Sequence, residues 1–359
     1  MNNDSDSKGI ASVSFCSSLR DDVWHNLAGP NAFESWHFDA VADDGRSAVV
    51  ISFYDNHVLS PRFYRNPKSP ENITYSGNHR FPAVSFVYAI DGKPILHAVN
   101  EFVEGDFAST GTGCAIGGSE FRVEMAEYGF GFMVTIDVRT FGGRRIRADL
   151  EWLLVESDLK PERELTSAVW NVVAPRSDVS GRISLIGRRG RTRQTYNFRG
   201  TGYHDQVSSS NVHYRDLNSR MWGRAHFTDT TVVFDRLGGV QNPRNPGRFY
   251  LIRNGEIKEY QANCEASEVR RTSWGMRVPG RVAFQSEDGI RLSVKPINAF
   301  RSGFSEVKTF SEITLGLRDG KPRNAIGITE FINPARLQNR VFRWLSGLRI
   351  GSEDRSPLF

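Results

Sequence analysis

The stretch FPAVSFVYAIDGKPILHAVNEF (81–102) places two alternating apolar runs on either side of Asp91-Gly92. An Asp-Gly pair in that setting closes a two-residue hairpin, because both turn positions need positive φ. An alternation of period two also puts every second side chain on one strand face. The pattern recurs in SAVVISFYD (47–55), in FRVEMAEYGFGFMVTIDVRTF (121–141), around Asn254-Gly255 between RFYLIR and EIKEYQA, and at Asp288-Gly289. Hairpins at this spacing, with no long helical period between them, predict an all-β chain of antiparallel barrels or sandwiches. The length of 359 residues suits two such domains, since one domain typically takes about 100–150.

Only the C-terminus departs from this pattern. NPARLQNRVFRWLSGL (333–348) opens on Asn333 and Pro334 and sets Leu337, Val341, Trp344, Leu345 and Leu348 at helical spacing. That predicts an amphipathic helix capped by Asn333, with its apolar stripe packed on the barrel and not on a membrane. Residues 1–18 are small and polar and read as a flexible tail. GTGCAIGG (111–118) lacks both the third glycine of a dinucleotide fingerprint and the Lys-Ser/Thr of a phosphate loop, so it reads as a flexible loop. RRGRTR (188–193) reads as a solvated hairpin tip.

The net charge of +5 comes from 46 Lys plus Arg against 41 acids spread along the chain, which excludes a concentrated nucleic-acid footprint. Cys16, Cys114 and Cys264 are too widely spaced for a disulfide framework or a zinc site. MNNDSDSKGIASVSF has no apolar core behind a basic start, and no uncharged apolar run reaches the ~18 residues that a membrane span needs. The expectation is a soluble, cytoplasmic protein without stable membrane insertion; the oligomeric state is not legible.

Four stretches carry candidate chemistry. TGYHDQ (201–206) follows a strand ending in Gly-x-Gly and sets His204 beside Asp205, either as a proton-handling pair or as a polar turn bonded to loop backbone. MWGRAHFTDTTVVFD (221–235) ends on Asp235 behind Val232, Val233 and Phe234. These neighbours would desolvate its carboxyl and raise its pKa, although Asp235 could equally open the following loop. FESWHFDAVADDG (33–45) puts Trp36 and Phe38 on one strand face and His37 and Asp39 on the other; the aromatics suit a pocket or a core. AIGITEFINP (325–334) inserts Glu330 among apolar residues, where a carboxylate needs a partner such as Arg224. His204, His213 and His226 match no metal-ligand spacing, and no Gly-x-Ser-x-Gly elbow occurs. What remains is acid–base chemistry without metal or cofactor, or plain ligand binding.

ESWHFDAVADDGRSAVVISFYDN, FRGTGYHDQ, WGRAHFTDTTVVFD and GITEFINPARL, in this order across the chain, resemble segments of the carotenoid 1,2-hydratases (hydroxyneurosporene synthases). The wider superfamily includes kievitone hydratase, the AttH-like proteins and fungal decalin-forming Diels–Alderases. The resemblance implies two lipocalin-like β domains, 19–205 and 206–359, with a hydrophobic ligand pocket at their junction. It implies an acid that protonates an alkene to a tertiary cation captured by water. His204 and Asp205 would be the proton-handling pair and Asp235 the candidate acid. Trp36, Tyr203, Trp222, Arg224, Phe234 and Glu330 would line the substrate site, with π faces steadying the cation. Two departures bear on the outcome. The His-Asp segment continues as QVSSSNVHY in place of Asn and Trp-Gly or Phe-Gly, and an expected Tyr-x-Asp reads Val233-Phe234-Asp235. Cyclisation therefore stands beside hydration, which makes the enzyme a carbon–oxygen lyase or an isomerase acting on a hydrophobic isoprenoid or polyene. A pericyclase folding a polyene and a non-catalytic carrier of a hydrophobic ligand are the alternatives.

Overall fold

The hairpin signals are realised in the backbone: Asp91 and Gly92 take φ of 51° and 73°, and Asn254 and Gly255 take 54° and 77°. The computed structural model describes residues 13–29, 32–63, 80–126, 129–162, 166–210, 219–238, 244–318, 320–352 and 355–358. His213 lies outside the described residues.

Twelve strands precede residue 210: β1 (Ser14–Cys16), β2 (Phe33–Ala42), β3 (Ser47–Tyr54), β4 (Ala83–Ile90), β5 (Lys93–Glu101), β6 (Phe107–Ser109), β7 (Gly113–Ile116), β8 (Ser119–Ala126), β9 (Gly129–Arg139), β10 (Arg145–Glu156), β11 (Ala168–Ile186) and β12 (Thr192–Ser209). They form one sheet in the order β5-β4-β3-β2-β12-β11-β10-β9-β8-β7-β6, with β1 parallel to β11. The sheet curls until its β5 end meets β9. Phe38 on β2 lies 5.1 Å from Phe121 on β8 and 5.5 Å from Phe132 on β9, ring centre to ring centre. Across the gap the Asn100 amide donates to the Arg139 carbonyl at 3.0 Å and accepts from the Arg139 N–H at 2.6 Å, which ties β5 to β9.

The second unit comprises β13 (Arg220–His226), β14 (Thr231–Leu237), β15 (Arg244–Arg253), β16 (Glu256–Ser267), the short pair β17 (Arg270–Arg271) and β18 (Arg277–Val278), β19 (Arg281–Ser286), β20 (Arg291–Ser302), β21 (Glu306–Gly316) and β22 (Arg323–Ile332). Eight of these close a barrel, β13-β14-β15-β16-β19-β20-β21-β22. Closure removes the free edges, and Phe234, Phe249, Phe284, Leu292 and Ile313 fill the interior. The all-β class is thus realised as one curled sheet and one closed barrel.

Several local expectations are corrected. Ser14–Cys16 are buried in β1 and do not belong to a tail. Gly113–Ile116 form β7, with Cys114 and Ile116 in the core, so GTGCAIGG is not simply a loop. β12 runs unbroken past Gly200 and Gly202 to Ser209 and crosses the expected division at 205/206. These two glycines do not turn the chain. A Cβ on Gly200 would sit 2.1 Å from the Val41 carbonyl oxygen, and one on Gly202 would sit 2.5 Å from Trp152 Nε1, so they permit close approach inside the sheet. The predicted C-terminal helix divides into a 3-10 turn, Pro334–Gln338, and α1, Arg340–Leu348. The cap is Asn339, whose side chain accepts from the N–H groups of Val341 and Phe342, and not Asn333. Leu337 is buried, yet no residue of α1 is, and Val341 and Trp344 stay exposed. The chain then returns to the first unit, where β23 (Gly351–Ser352) pairs with β5.

The barrel docks against one face of the sheet through two apolar clusters. One joins Phe15, Trp170, Val172 and Tyr203 to Trp222, Val233, Tyr250 and Ile252. The other joins Ala48, Val50, Val87 and Ala89 to Phe300, Phe310 and Ile328.

Candidate functional site

Where these two clusters leave a gap, a cavity opens with about 100 Å³ accessible to the centres of water-sized molecules. The sheet supplies Phe33, Ser35 and His37 from β2, Ser52 and Tyr54 from β3, Trp170 from β11, and Asp205 and Val207 from β12. The barrel supplies Arg220 and Trp222 from β13, Lys308 from β21, and Glu330 and Ile332 from β22; Val58 and Leu59 close the rim. Aromatic and aliphatic side chains make up about half of the lining, and Ser, His, Asp, Arg, Lys and Glu side chains converge on it from both units.

On the sheet wall, strand alternation places His37 and Asp39 on one face, two residues apart. His37 Nε2 donates to Asp39 Oδ2 at 2.8 Å, and Ser52 Oγ lies 3.1 Å from His37 Nδ1. The other oxygen of Asp39 meets the Arg224 guanidinium in an ion pair buried on both sides. Burial pushes the Arg224 pKa down, while Asp39 acts in the opposite sense. Arg224 also lies over the Tyr203 ring at 5.6 Å. Asp205 Oδ2 accepts from the Tyr203 hydroxyl and from Trp170 Nε1, both at 2.7 Å, so this carboxylate fixes two aromatic rings of the wall. The Trp222 ring stands edge-on to His37 at 4.9 Å.

On the barrel wall, Lys308 is shared between two carboxylates. Its Nζ lies 2.6 Å from Glu330 Oε2 and 2.8 Å from Glu306 Oε1, and Arg301 adds a second cation 3.3 Å from Glu306. Burial raises both carboxyls, but the outcomes diverge. For Glu306, Arg301 and Lys308 outweigh burial and hold the group well below the ordinary carboxylate range. For Glu330, burial and the negative charge of Glu306 prevail over Lys308 and His37, so its pKa is raised. Divergent environments of this kind assign acid and base roles to neighbouring carboxyls. Tyr54, beside the same cluster, is pushed up to about 12, chiefly by burial.

Of the residues expected from the sequence, Asp205, Trp222 and Glu330 line the cavity, and Tyr203 and Arg224 support its wall. Four do not. His204 is adjacent to Asp205 on a strand and therefore points to the opposite face. It stacks on Phe38 at 3.8 Å inside the curled sheet, with Nε2 2.9 Å from Asp22 and Nδ1 3.0 Å from the His37 carbonyl oxygen. Trp36 faces that same core, and Phe234 faces the barrel interior. Asp235 neither lines the cavity nor opens a loop; its carboxylate meets Arg248 at 2.8 Å and Arg220 at 3.6 Å. Glu330 finds Lys308 as its partner and not Arg224. Sequence reasoning missed Ser52, Tyr54, Trp170 and Lys308 altogether. For His37 and Asp39 the signal was present, since two residues apart on a strand share a face. Among the described residues no group of three or more His, Cys, Asp or Glu could hold a metal ion. Among them, too, no helix is long and apolar enough to cross a membrane.

Comparison with known proteins places this geometry among relatives. No family model matches the chain. A hydroxyneurosporene dehydrogenase of Chlorobaculum tepidum is 24% identical over 353 residues, covering 91% of this chain and 89% of the relative. A structure from Nitrosomonas europaea described as AttH superposes with a TM-score of 0.59 at 14% identity, covering 87% of this chain and 95% of that one. CghA, solved with Sch210972, superposes with a TM-score of 0.56 at 14% identity over 90% of this chain and 94% of its own.

Proposed function

We propose that the chain is a member of the AttH-like superfamily, whose fold it shares, and that it is an enzyme acting in the cavity between sheet and barrel on a hydrophobic isoprenoid or polyene. Glu330 protonates an alkene carbon, and the resulting cation is captured by water or closed onto a second π bond, after which the new cation loses a neighbouring C–H proton back to the Glu330 carboxylate. One observation carries this reading: a buried carboxyl whose pKa is raised faces the cavity beside Trp222 and Ile332, and a raised pKa favours the protonated form that can donate. Trp170, Trp222 and Tyr54 present π faces that lower the energy of a carbocation by about 0.5–2 kcal/mol each. In capture, water gives its oxygen to the cation and its proton to the Ser52–His37 relay, where Asp39 and Arg224 hold the imidazole in place. The similarity to a hydroxyneurosporene dehydrogenase supports an enzyme acting on a hydrophobic polyene, and CghA, solved with Sch210972, shares the fold. The site residues named here replace the expected His204 and Asp235.

The test is incubation with linear polyprenyl or polyene substrates bearing a terminal isopropylidene group, in heavy water. Deuterium at one new C–H bond is expected, and Glu330→Gln should slow its incorporation by about 10²–10⁴-fold. A rearranged product without deuterium, formed equally fast by Glu330→Gln, would overturn protonation in favour of a cycloaddition shaped by the cavity. Ligand bound and returned unchanged would make the protein a carrier.

A further inference from the structure

The rim of the cavity adjoins a surface that the proposed chemistry does not use. Gly347 of α1 packs on Pro61, with a Cβ there only 3.5 Å from Pro61 Cγ, and Pro61 lies two residues after Leu59, which lines the cavity. The inner side of α1 is firmly seated. Phe342 stacks on Phe304 at 5.7 Å, and Arg336 lies 4.5 Å over the Phe342 ring while bonding the carbonyls of Phe304, Trp274 and Gly275. Leu337, just before the helix, is fully buried. Its outer side holds Val341 and Trp344, 60% and 56% exposed. Leu358, 49% exposed, joins them where its N–H bonds the Leu348 carbonyl at the helix end.

The helix segment itself carries charge of one sign. From Asn333 to Gly351 the chain carries Arg336, Arg340, Arg343 and Arg349 and no Asp, Glu or Lys. An exposed tryptophan beside aliphatic residues, on a helix whose own charges are all arginines, is the chemistry of a helix lying at a lipid headgroup boundary. A protein partner fits less well, because a specific interface takes about 800 Å² from each side, far more than one face of a nine-residue helix offers.

We propose that α1 docks the protein reversibly on an anionic lipid surface, setting the cavity rim against the phase in which a hydrophobic substrate dissolves. Val341, Trp344 and Leu358 enter the headgroup region, and the arginine-rich segment attracts lipid phosphates. No segment inserts across the bilayer. The surface stands independently of the reaction proposed above, and so does its test, which needs no substrate.

Flotation of the full-length protein with phosphatidylcholine vesicles, with or without a minor fraction of phosphatidylglycerol, reads the binding directly. Binding is expected to the anionic vesicles and to weaken with added salt. Trp344→Asp and Val341→Asp should each weaken it about tenfold, and Arg340→Gln about fivefold. Because these positions are exposed, far-ultraviolet circular dichroism and thermal midpoints should stay unchanged. Absence of the wild type from floated anionic vesicles overturns the proposal, as does equal flotation of the Asp variants. A dimer in sedimentation velocity that is lost in the same variants, without vesicle binding, would also overturn it and assign the face to a second copy of this chain.

Discussion

The two walls of the cavity bury similar numbers of charges and arrange them differently. On the sheet wall, Asp39 has one guanidinium and one imidazole to itself, the imidazole from its own strand β2 and the guanidinium from β13 across the junction. On the barrel wall, Glu306 and Glu330 contend for Lys308, and Arg301 tips the balance by reaching only Glu306. A matched pair fixes geometry. A shared cation leaves one carboxyl with less positive charge than burial demands, and the proton affinity of Glu330 is raised. The sheet wall is therefore suited to orienting a relay, and the barrel wall to donating a proton.

Removing the cation from each wall should break this symmetry. Arg224→Met leaves the buried Asp39 carboxylate with His37 as its remaining partner and should cost about 3 kcal/mol of stability, read as a shift in the urea midpoint. Asp39→Asn together with Arg224→Met should recover most of that loss. Lys308→Met should cost clearly less, because Glu306 keeps Arg301 and Glu330 can meet the change by holding its proton. Equal costs at the two walls would show that the shared-cation account of Glu330 is wrong.

A smaller effect separates the walls by their products. With Asp39→Asn the imidazole of His37 loses the carboxylate that fixes its tautomer, and water capture should slow by about 10–100-fold. Proton donation from the barrel wall should persist. The expected signature is a product ratio shifted from alcohol towards rearranged alkene, while deuterium still enters from heavy water at close to the original rate. Parallel loss of both products would tie the two walls into one function.

Much of the architecture was legible because its signals are local. Asp91-Gly92 and Asn254-Gly255 state their own turn geometry, and alternation states which residues share a face. The site was legible only in part, because two local cues misled. His204 and Asp205 are neighbours in sequence, and on a strand that separates them, sending one into the core and the other to the cavity. Asp235 follows an apolar run, yet which charges face it is decided by register: Arg248 on β15 pairs directly with Asp235, and the sequence does not state that pairing. His37 and Asp39 obeyed the same alternation rule in favour of the site. Lys308, Tyr54 and Ser52 reach the cavity only through strand order and docking, which no short motif encodes.

The finest distinction between the two glutamates of the barrel wall lies in the pH dependence of stability. The folded state holds the proton of Glu330 more tightly than the unfolded chain does, so this group's effect on stability turns unfavourable as pH rises above the ordinary value of 4.5 towards the raised folded value. Glu306 behaves in reverse: its contribution is fully present above 4.5 and is lost as pH falls through its lowered folded value. Glu330→Gln should therefore gain stability relative to wild type as pH is raised from 4.5 towards neutrality. Glu306→Gln should be less stable than wild type at neutral pH, with a deficit that closes on acidification. Each tenfold difference in proton affinity between folded and unfolded states is about 1.4 kcal/mol, enough for denaturation curves at a series of pH values to resolve. Opposite slopes would confirm that a single shared ammonium splits the pair, whereas slopes of the same sign would place the raised proton affinity on some other group of the cavity.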